Sequence, residues 1–488
     1  MININKQNSR PNILLLMADQ QKASAAGGVY GNPVVKTPFL DKMAEKGIAF
    51  TNAYSNSPIC TPSRASIMTG VHPLVHQVTC HQNRAPFNLP QLTEILQRNG
   101  YYTAACGHYE RSRCLDRGWY EQADFNDSGP LYNAWYNLHQ HGRKDVGWSS
   151  GGMDVSPEEG HAALLTNRAI IMLDNIQASG LPFFFHVPYI DPHPPYFVPK
   201  PYDILYNPED IELPPMGDGK GRPEWQYKCL EDCGTSKATE LDIKKVIATY
   251  YGMITYLNHQ MMRLYDEMDK RGMLDNTWII VTSDHGDYTG EKGLFNKTES
   301  LYECLLHVPL VIRPPKNISE NYPKVIDGLV ELVDLFPTIL GIAGIKVPEY
   351  AQGYDLIKWA MEGAKNELRK YVFAQVGNYH GHLKTTFPGG MPESGRRRGL
   401  VQGARSMDFS YIHDPDCGDE AYDLKKDPFE LNSLLKINQD VPEELKELKD
   451  SIFKWEEECL RLRRELGIIP GDRGFWEGLP FKDSHKKP

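Results

Sequence analysis

Two short apolar runs that each end in an aspartate constrain this chain more than any other feature. Asn12-Ile13-Leu14-Leu15-Leu16-Met17-Ala18 leads into Asp19, and Trp278-Ile279-Ile280-Val281-Thr282 leads through Ser283 into Asp284. Neither run alternates apolar with polar residues, so neither suits a strand with one wet face. Unbroken runs of this length read as strands covered on both sides, the setting of parallel sheets packed between helices. Because parallel strands share a carboxyl edge, Asp19 and Asp284 are expected together where α/β folds bind their ligands.

The rest of the chain keeps this rhythm. Thr37 to Gly47 reads as a helix with Thr37 as its cap and Pro38 at its first position. Helices are predicted at Gln91–Asn99, Gly160–Ala178 and Asp242–Lys270, and strands at Tyr102–Cys106 and Pro182–Val187. Strands alternating with helices imply a mostly parallel sheet covered on both faces. The polar, Gly/Pro-rich stretches Asn126–Pro157 and Lys200–Gly221 are too long for ordinary connections and read as insertions framing a site. After roughly residue 370 the pattern changes to short strands at Tyr371–Val376 and Ser410–His413 and a charged helix at Glu443–Arg464. The expected division is a main domain over residues 1–370 and a smaller α+β subdomain over residues 371–488.

The 488 residues carry 53 Lys+Arg against 63 Asp+Glu, a formal charge of −10. Without a dense basic tract the chain lacks the positive footprint that phosphate backbones require, which argues against nucleic acid as a partner. Hydrophobic residues make up 41%, enough for a large core in two or three domains. Met1–Arg10 is polar, and no apolar run reaches the length of a signal-peptide core or a membrane span, so no membrane partner is expected. Nine scattered cysteines form no disulfide framework, and Cys229 and Cys233 lack a second metal-binding pair. A reducing cytoplasm is the expected compartment, or the periplasm or exterior if a signal has been removed. No feature assigns an oligomeric state.

The most specific local pattern is Ser57-Pro58-Ile59-Cys60-Thr61-Pro62-Ser63-Arg64-Ala65-Ser66, closed by Met68-Thr69-Gly70. Cys60 falls at or just before the start of a short helix, where exposed N–H groups and the dipole favour an anion or thiolate. Arg64, four residues on, shares its face. These residues alone leave a second reading open, a buried inert cysteine in a proline-bounded turn.

Cys60-Thr61-Pro62-Ser63-Arg64 resembles the Cys-x-Pro-x-Arg signature of the type I sulfatases, of the alkaline phosphatase superfamily. Further segments resemble that family in the same order: Asp19-Gln20, Ser283-Asp284-His285-Gly286-Asp287, Glu331 to Thr338, and Tyr422 to Glu430. The resemblance implies an alkaline-phosphatase-like α/β fold, a large mixed, mostly parallel sheet between helices with a smaller C-terminal subdomain. It implies a sulfuric ester hydrolase in which a formylglycine-generating maturation enzyme oxidises Cys60, the hydrated aldehyde being the nucleophile. It also implies one divalent metal held by Asp19, Gln20, Asp284, His285 and the converted Cys60. Oxygen ligands suit Ca²⁺ or Mg²⁺, the imidazole of His285 moves the preference toward Mn²⁺ or Zn²⁺, and calcium is the first expectation.

His193, in Asp191-Pro192-His193-Pro194-Pro195, matches the family histidine that meets the sulfate and the leaving group, and a pKa tunable near neutrality suits a general acid. Lys297 matches the lysine that holds a sulfate oxygen, and Arg64 is assigned developing negative charge. The chain departs from the family at Gly107-His108-Tyr109-Glu110, where His108 stands in place of a lysine and Glu110 in place of a histidine. His108 keeps a potential cation. Glu110 brings a carboxylate to an anion site, unless it turns away or contacts a cationic or hydroxylated substrate. His81, in Cys80-His81-Gln82-Asn83, is the candidate donor in place of the missing histidine.

The expected substrate is a small-molecule or oligosaccharide sulfate ester, preferably a sulfated carbohydrate, with aryl sulfates as surrogates. A phosphonate monoester or phosphodiester hydrolase of the same superfamily is the nearest rival, and a silent binder of sulfated glycans a more distant one. Tyr132, Trp135, Tyr136, Trp148, Tyr202, Trp225, Phe475 and Trp476, in or beside the insertions and in the tail, either stack on substrate rings or form satellite core.

Overall fold

Strand β1 (Asn12–Ala18) is buried nearly end to end because it divides two hydrophobic cores. Leu14, Leu16 and Ala18 enter one core, and Ile13, Leu15 and Met17 enter the other. The computed structural model describes residues 10–79, 83–107, 116–124, 150–217, 223–232, 236, 238–316, 318, 322–377, 400–435 and 440–468. The other strands of the main sheet are β2 (Ile48–Tyr54), β3 (Tyr102–Gly107), β4 (Glu121–Asp124), β6 (Phe183–Pro188), β8 (Thr277–Ser283), β9 (His307–Arg313) and β10 (Val325–Glu331). Between them in sequence, β5 (Ser150–Met153) and β7 (Tyr196–Pro199) form a separate parallel pair.

The main sheet runs in the order β10-β2-β9-β8-β1-β6-β3-β4. Among the described strands every pairing in it is parallel except those of β9, which runs antiparallel to both β2 and β8. Helices Pro38–Lys46, His161–Ser179 and Glu240–Lys270 cover one face, and Cys60–Thr69, Leu92–Arg98 and Leu335–Ile342 cover the other. Two covered faces explain the unbroken apolar strands, each buried leucine contributing about 1.5–3 kcal/mol. The predicted helices and strands are present, their ends shifted by about one or two residues. Thr37 does stand at the cap of its helix, with Pro38 first. Its hydroxyl, however, accepts from the Gly27 N–H and donates to Asp41 Oδ1, both at 3.0 Å, and so pins the preceding turn rather than a helix N–H.

The second sheet is antiparallel, β11 (Val372–Val376), β12 (Val401–Arg405), β13 (Phe409–His413) and β14 (Glu420–Asp423) in that order. Val401, Ile412 and Tyr422 pack on Tyr54, Tyr302 and Leu305 of the main body. Ala404, Tyr411 and Ala421 pack on Leu445, Leu448 and Ile452 of the helix Glu443–Glu465. Of the aromatic residues proposed for substrate rings, Trp225 is satellite core: it is buried and stacks on Tyr302 with centroids 6.3 Å apart. Tyr202 packs edge-on against Tyr256, and its hydroxyl is 2.7 Å from His259 Nδ1. Tyr132, Trp135, Tyr136, Trp148, Phe475 and Trp476 lie outside the described residues. Among the described residues no helix is long and apolar enough to cross a membrane.

Candidate active site

Adjacency of three parallel strands assembles the site. Ala18 of β1 pairs with Ser283 of β8, and Met17 pairs with Pro188 of β6, so the segments leaving these strands meet at one edge. Asp19 comes directly after β1, Asp284 directly after β8, and the loop bearing His193 leaves β6. The helix Cys60–Thr69 enters from β2 and presents its first residue, fully buried, to both aspartates. Gly70 ends this helix with φ +73°, and a Cβ there would stand 2.5 Å from the Phe336 ring, so only glycine fits.

Cys60 Sγ lies 3.1 Å from His285 Nε2 and 3.6 Å from Asp19 Oδ1. Lys297 Nζ reaches the same point, 3.0 Å from Cys60 Sγ, 2.9 Å from Gln20 Oε1, 3.2 Å from His193 Nε2 and 3.3 Å from His285 Nε2. One ligand atom from each of Asp19, Cys60, Asp284 and His285 lies within 4.8 Å of all the others, and all four residues are buried. Carboxylate oxygens and an imidazole nitrogen so gathered fit a divalent cation.

Arg64 organises the carboxylates. Its Nε donates to Asp284 Oδ2 and its Nη2 to Asp19 Oδ2, both at 2.8 Å. Asp284 Oδ1 accepts instead from the backbone N–H groups of Gln20 and His285, at 3.0 and 2.9 Å. Sequence reasoning assigned Arg64 to charge developing on a substrate. The fold engages Nε and Nη2 with the two aspartates, a pairing that orients both carboxylates.

The two histidines are oriented by backbone carbonyls. His285 Nδ1 lies 2.9 Å from Gly286 O, a donor arrangement that leaves Nε2 as a lone pair toward Cys60 and Asp19. His193 Nδ1 lies 2.5 Å from Pro194 O, which directs Nε2 to Lys297. Beneath the site His186 is held neutral, its pKa pushed down to about 3 by burial and by the nearby Arg64 charge. Asp191, two residues before His193, is pushed up to about 7 by burial.

Gln20 takes a left-handed φ of +71° and is fixed by its side chain as well as its backbone. Its Nε2 donates to Asp287 Oδ2 at 2.5 Å and Asn296 Oδ1 at 2.9 Å, so its Oε1 faces Lys297. Tyr196 donates its hydroxyl to Asp287, and burial raises the pKa of that carboxyl against the lowering effect of Lys22. Sequence reasoning gave Tyr196, Asp287 and Asn296 no role; a second carboxylate three residues after Asp284 was the available signal. His81, His108 and Glu110 lie outside the described residues.

Known proteins resemble this chain over nearly its whole length. Residues 11–345 match the family model for sulfatases, and residues 290–458 match the model for the C-terminal region of N-sulphoglucosamine sulphohydrolase. An arylsulfatase of Clostridium perfringens is 30% identical over 502 aligned residues, covering 96% of this chain and 98% of that protein. The crystal structure of a phosphonate monoester hydrolase of Agrobacterium radiobacter superposes with a TM-score of 0.74 at 23% identity, over 94% of this chain and 96% of that one. A protein solved with its substrate D-glucosamine-2-N,6-O-disulfate superposes with a TM-score of 0.71 at 22% identity, over 95% and 99%. The two superpositions show the alkaline-phosphatase-like fold expected above. The family model spans well over half of the residues and the arylsulfatase aligns almost end to end: the chain belongs to the sulfatase family and is a sulfuric ester hydrolase.

Proposed function

We propose that this sulfatase hydrolyses a sulfate monoester of a carbohydrate, with Cys60, once oxidised to formylglycine by a maturation enzyme, as the nucleophilic position. The observation that carries the reading is the convergence of Lys297 Nζ on Cys60 Sγ, His193 Nε2 and His285 Nε2, each within 3.3 Å. A positive charge, an imidazole able to carry a proton and a group able to hold a cation, all beside one position, support this reading.

Once converted, Cys60 would carry a hydrated aldehyde as the nucleophile. Asp19, Asp284, His285 and Gln20 would hold a divalent cation, calcium being the first candidate from the oxygen-rich donors, and it would supply Lewis-acid polarisation. The chain's own groups supply the rest. Lys297 holds negative charge on the sulfate oxygens, a contribution of about 2.7–4 kcal/mol for one well-placed donor. His193, its Nδ1 anchored on Pro194, gives a proton from Nε2 to the leaving alcohol. Arg64 keeps Oδ2 of Asp19 and of Asp284 engaged, which leaves Asp19 Oδ1 beside Cys60 and His285, while Asp284 Oδ1 also accepts from the Gln20 and His285 backbone. On this reading His81, His108 and Glu110 meet the substrate.

The match to the C-terminal model of N-sulphoglucosamine sulphohydrolase supports an amino-sugar sulfate as the first compound to try. Protein co-expressed with a formylglycine-generating enzyme is assayed for sulfate release from glucosamine sulfates and an aryl sulfate, alongside a phosphonate monoester. The reading requires an aldehyde mass on the Cys60 peptide and loss of turnover in Cys60→Ala with the fold intact. A higher kcat/KM on the phosphonate than on every sulfate would transfer the site to phosphorus esters.

A further inference from the structure

The proposed reaction uses Cys60 only after its sulfur has been removed, yet the folded chain holds the thiol among partners that suit sulfur. From Cys60 Sγ it is 3.1 Å to His285 Nε2 and 3.6 Å to Asp19 Oδ1. From His285 Nε2 it is 3.8 Å to Asp19 Oδ1 and 3.8 Å to Asp284 Oδ1. Ligands bound at about 2.0–2.3 Å to a tetrahedral zinc ion stand about 3.3–3.8 Å from one another, because a tetrahedron's edge is about 1.6 times its centre-to-corner distance. Three of these four separations match that spacing, the Cys60–His285 one is slightly shorter, and all four donors lie within 4.8 Å of one another.

Their orientation agrees. Arg64 occupies Oδ2 of both aspartates, Asp19 Oδ1 lies 3.6 Å from Cys60 Sγ, Asp284 Oδ1 also accepts from the Gln20 and His285 N–H groups, and Gly286 O fixes the His285 tautomer. Outer partners of this kind orient the ligands of metal sites. Calcium prefers six to eight oxygens at longer distances, whereas a thiolate and an imidazole select zinc-like ions.

We propose that the unconverted chain binds zinc, with the Cys60 thiolate, His285 Nε2 and one oxygen each of Asp19 and Asp284 as a tetrahedral ligand set. Binding exchanges the thiol proton, which leaves to solvent, for a zinc–sulfur bond, and neither oxidant nor reductant is needed. Oxidation of Cys60 to the aldehyde deletes the soft ligand, so maturation also resets the site's metal preference. Chains that fold without conversion become zinc-holding proteins with no nucleophile. Zinc held in this way occupies the same site as the sulfatase reading but only in its thiol form.

The test uses the full chain made without a maturation enzyme, the thiol verified by the mass of the Cys60 peptide. Titration with Co²⁺ is expected to give, at one equivalent, an intense thiolate-to-cobalt charge-transfer band and the visible spectrum of a tetrahedral ion. Zn²⁺ displaces the cobalt, and Cys60→Ser abolishes the charge-transfer band. Zinc affinity, read by competition with a chromophoric chelator, falls by about 100-fold or more in Cys60→Ser, beyond the usual loss from an outer-partner mutation. A weak octahedral spectrum without the band, or the same band in Cys60→Ser, overturns the proposal. X-ray absorption at the zinc edge of the unsubstituted chain decides it without any variant: one sulfur at about 2.3 Å supports it, and a shell of nitrogen and oxygen alone overturns it. Neither result alters sulfate release by the converted protein, so the two readings fail separately.

Discussion

Lys297 Nζ lies 3.0 Å from Cys60 Sγ, although the lysine's loop leaves β8 and the cysteine's helix leaves β2. On the proposed mechanism, a buried ammonium this close to the nucleophilic position stabilises charge that grows during sulfur transfer more than charge already present. Lys297→Met is expected to lower kcat/KM of the converted enzyme by about 10²–10³-fold while its melting temperature changes little. Steady-state kinetics beside a thermal melt check this, and an unchanged kcat/KM would remove Lys297 from the chemistry.

Arg64 is buried with two carboxylates that depend on it for countercharge. Arg64→Met removes the guanidinium from both buried aspartates and is expected to cost about 3–5 kcal/mol in urea unfolding. Arg64→Lys should recover little, since a single ammonium cannot reproduce the guanidinium fork. Added divalent cation should raise the melting temperature of Arg64→Met more than that of the unsubstituted chain, because it replaces the missing charge. Equal shifts would show that Arg64 does not balance these carboxylates.

Acid should destabilise the fold through two buried histidines. Burial, joined by the Arg369 charge, lowers His72 to about 3, and burial, joined by His72, lowers His76 to about 3, each from 6.5. The unfolded chain therefore takes up these protons first, so their stability contribution is complete above about pH 6.5 and is lost as pH falls toward 3. Asp191 acts oppositely: its folded pKa of about 7 exceeds the ordinary 3.8, so it gains stability as pH falls through the same window. The comparison is between the unsubstituted chain and the double variant His72→Gln/His76→Gln. Melting temperatures from pH 7 to pH 4 should fall more steeply in the former; parallel curves would contradict the assignment.

Lys292 ties the Lys297 loop to the second sheet. At φ +55° and buried, it lies 4.1 Å above the Tyr302 ring and 5.3 Å from the centre of Tyr422, and it donates to the Glu430 carbonyl. Burial pushes its pKa down, with Glu430 opposing. A desolvated cation over an aromatic face is worth about 2 kcal/mol. Lys292→Met should lower kcat by about tenfold through misplacement of Lys297, against the 1.36 kcal/mol that a factor of ten requires. Amide exchange across residues 288–302 should accelerate, and unchanged exchange with lowered kcat would point away from loop positioning.

The strand-end aspartates are legible in the sequence because an unbroken apolar run specifies burial on both faces, and such burial specifies parallel neighbours. The reversal of β9 is not. His307–Arg313 is as apolar as the strands beside it, and apolarity carries no direction. Cys60 at a helix start can be read from the flanking Pro62 and Gly70, but the partners of Arg64 cannot, since helical spacing fixes which face a residue occupies and not what stands opposite. The contacts joining Gln20, Asp287, Asn296 and Tyr196 link loops whose relative placement only the assembled sheet sets. For Trp225 composition left stacking and core packing equally open, and the Tyr302 contact decides for core.

In the folded site the guanidinium of Arg64 bridges the carboxylates of Asp19 and Asp284, while the ammonium of Lys297 lies against Cys60, Gln20 and two histidines. A divalent ion entering among the carboxylates would add two positive charges and strengthen the pull on an anion. Ion and ester would then each favour the other's binding. Gradual withdrawal of the ion should accordingly appear as weakening affinity for anionic inhibitors, sulfate itself included.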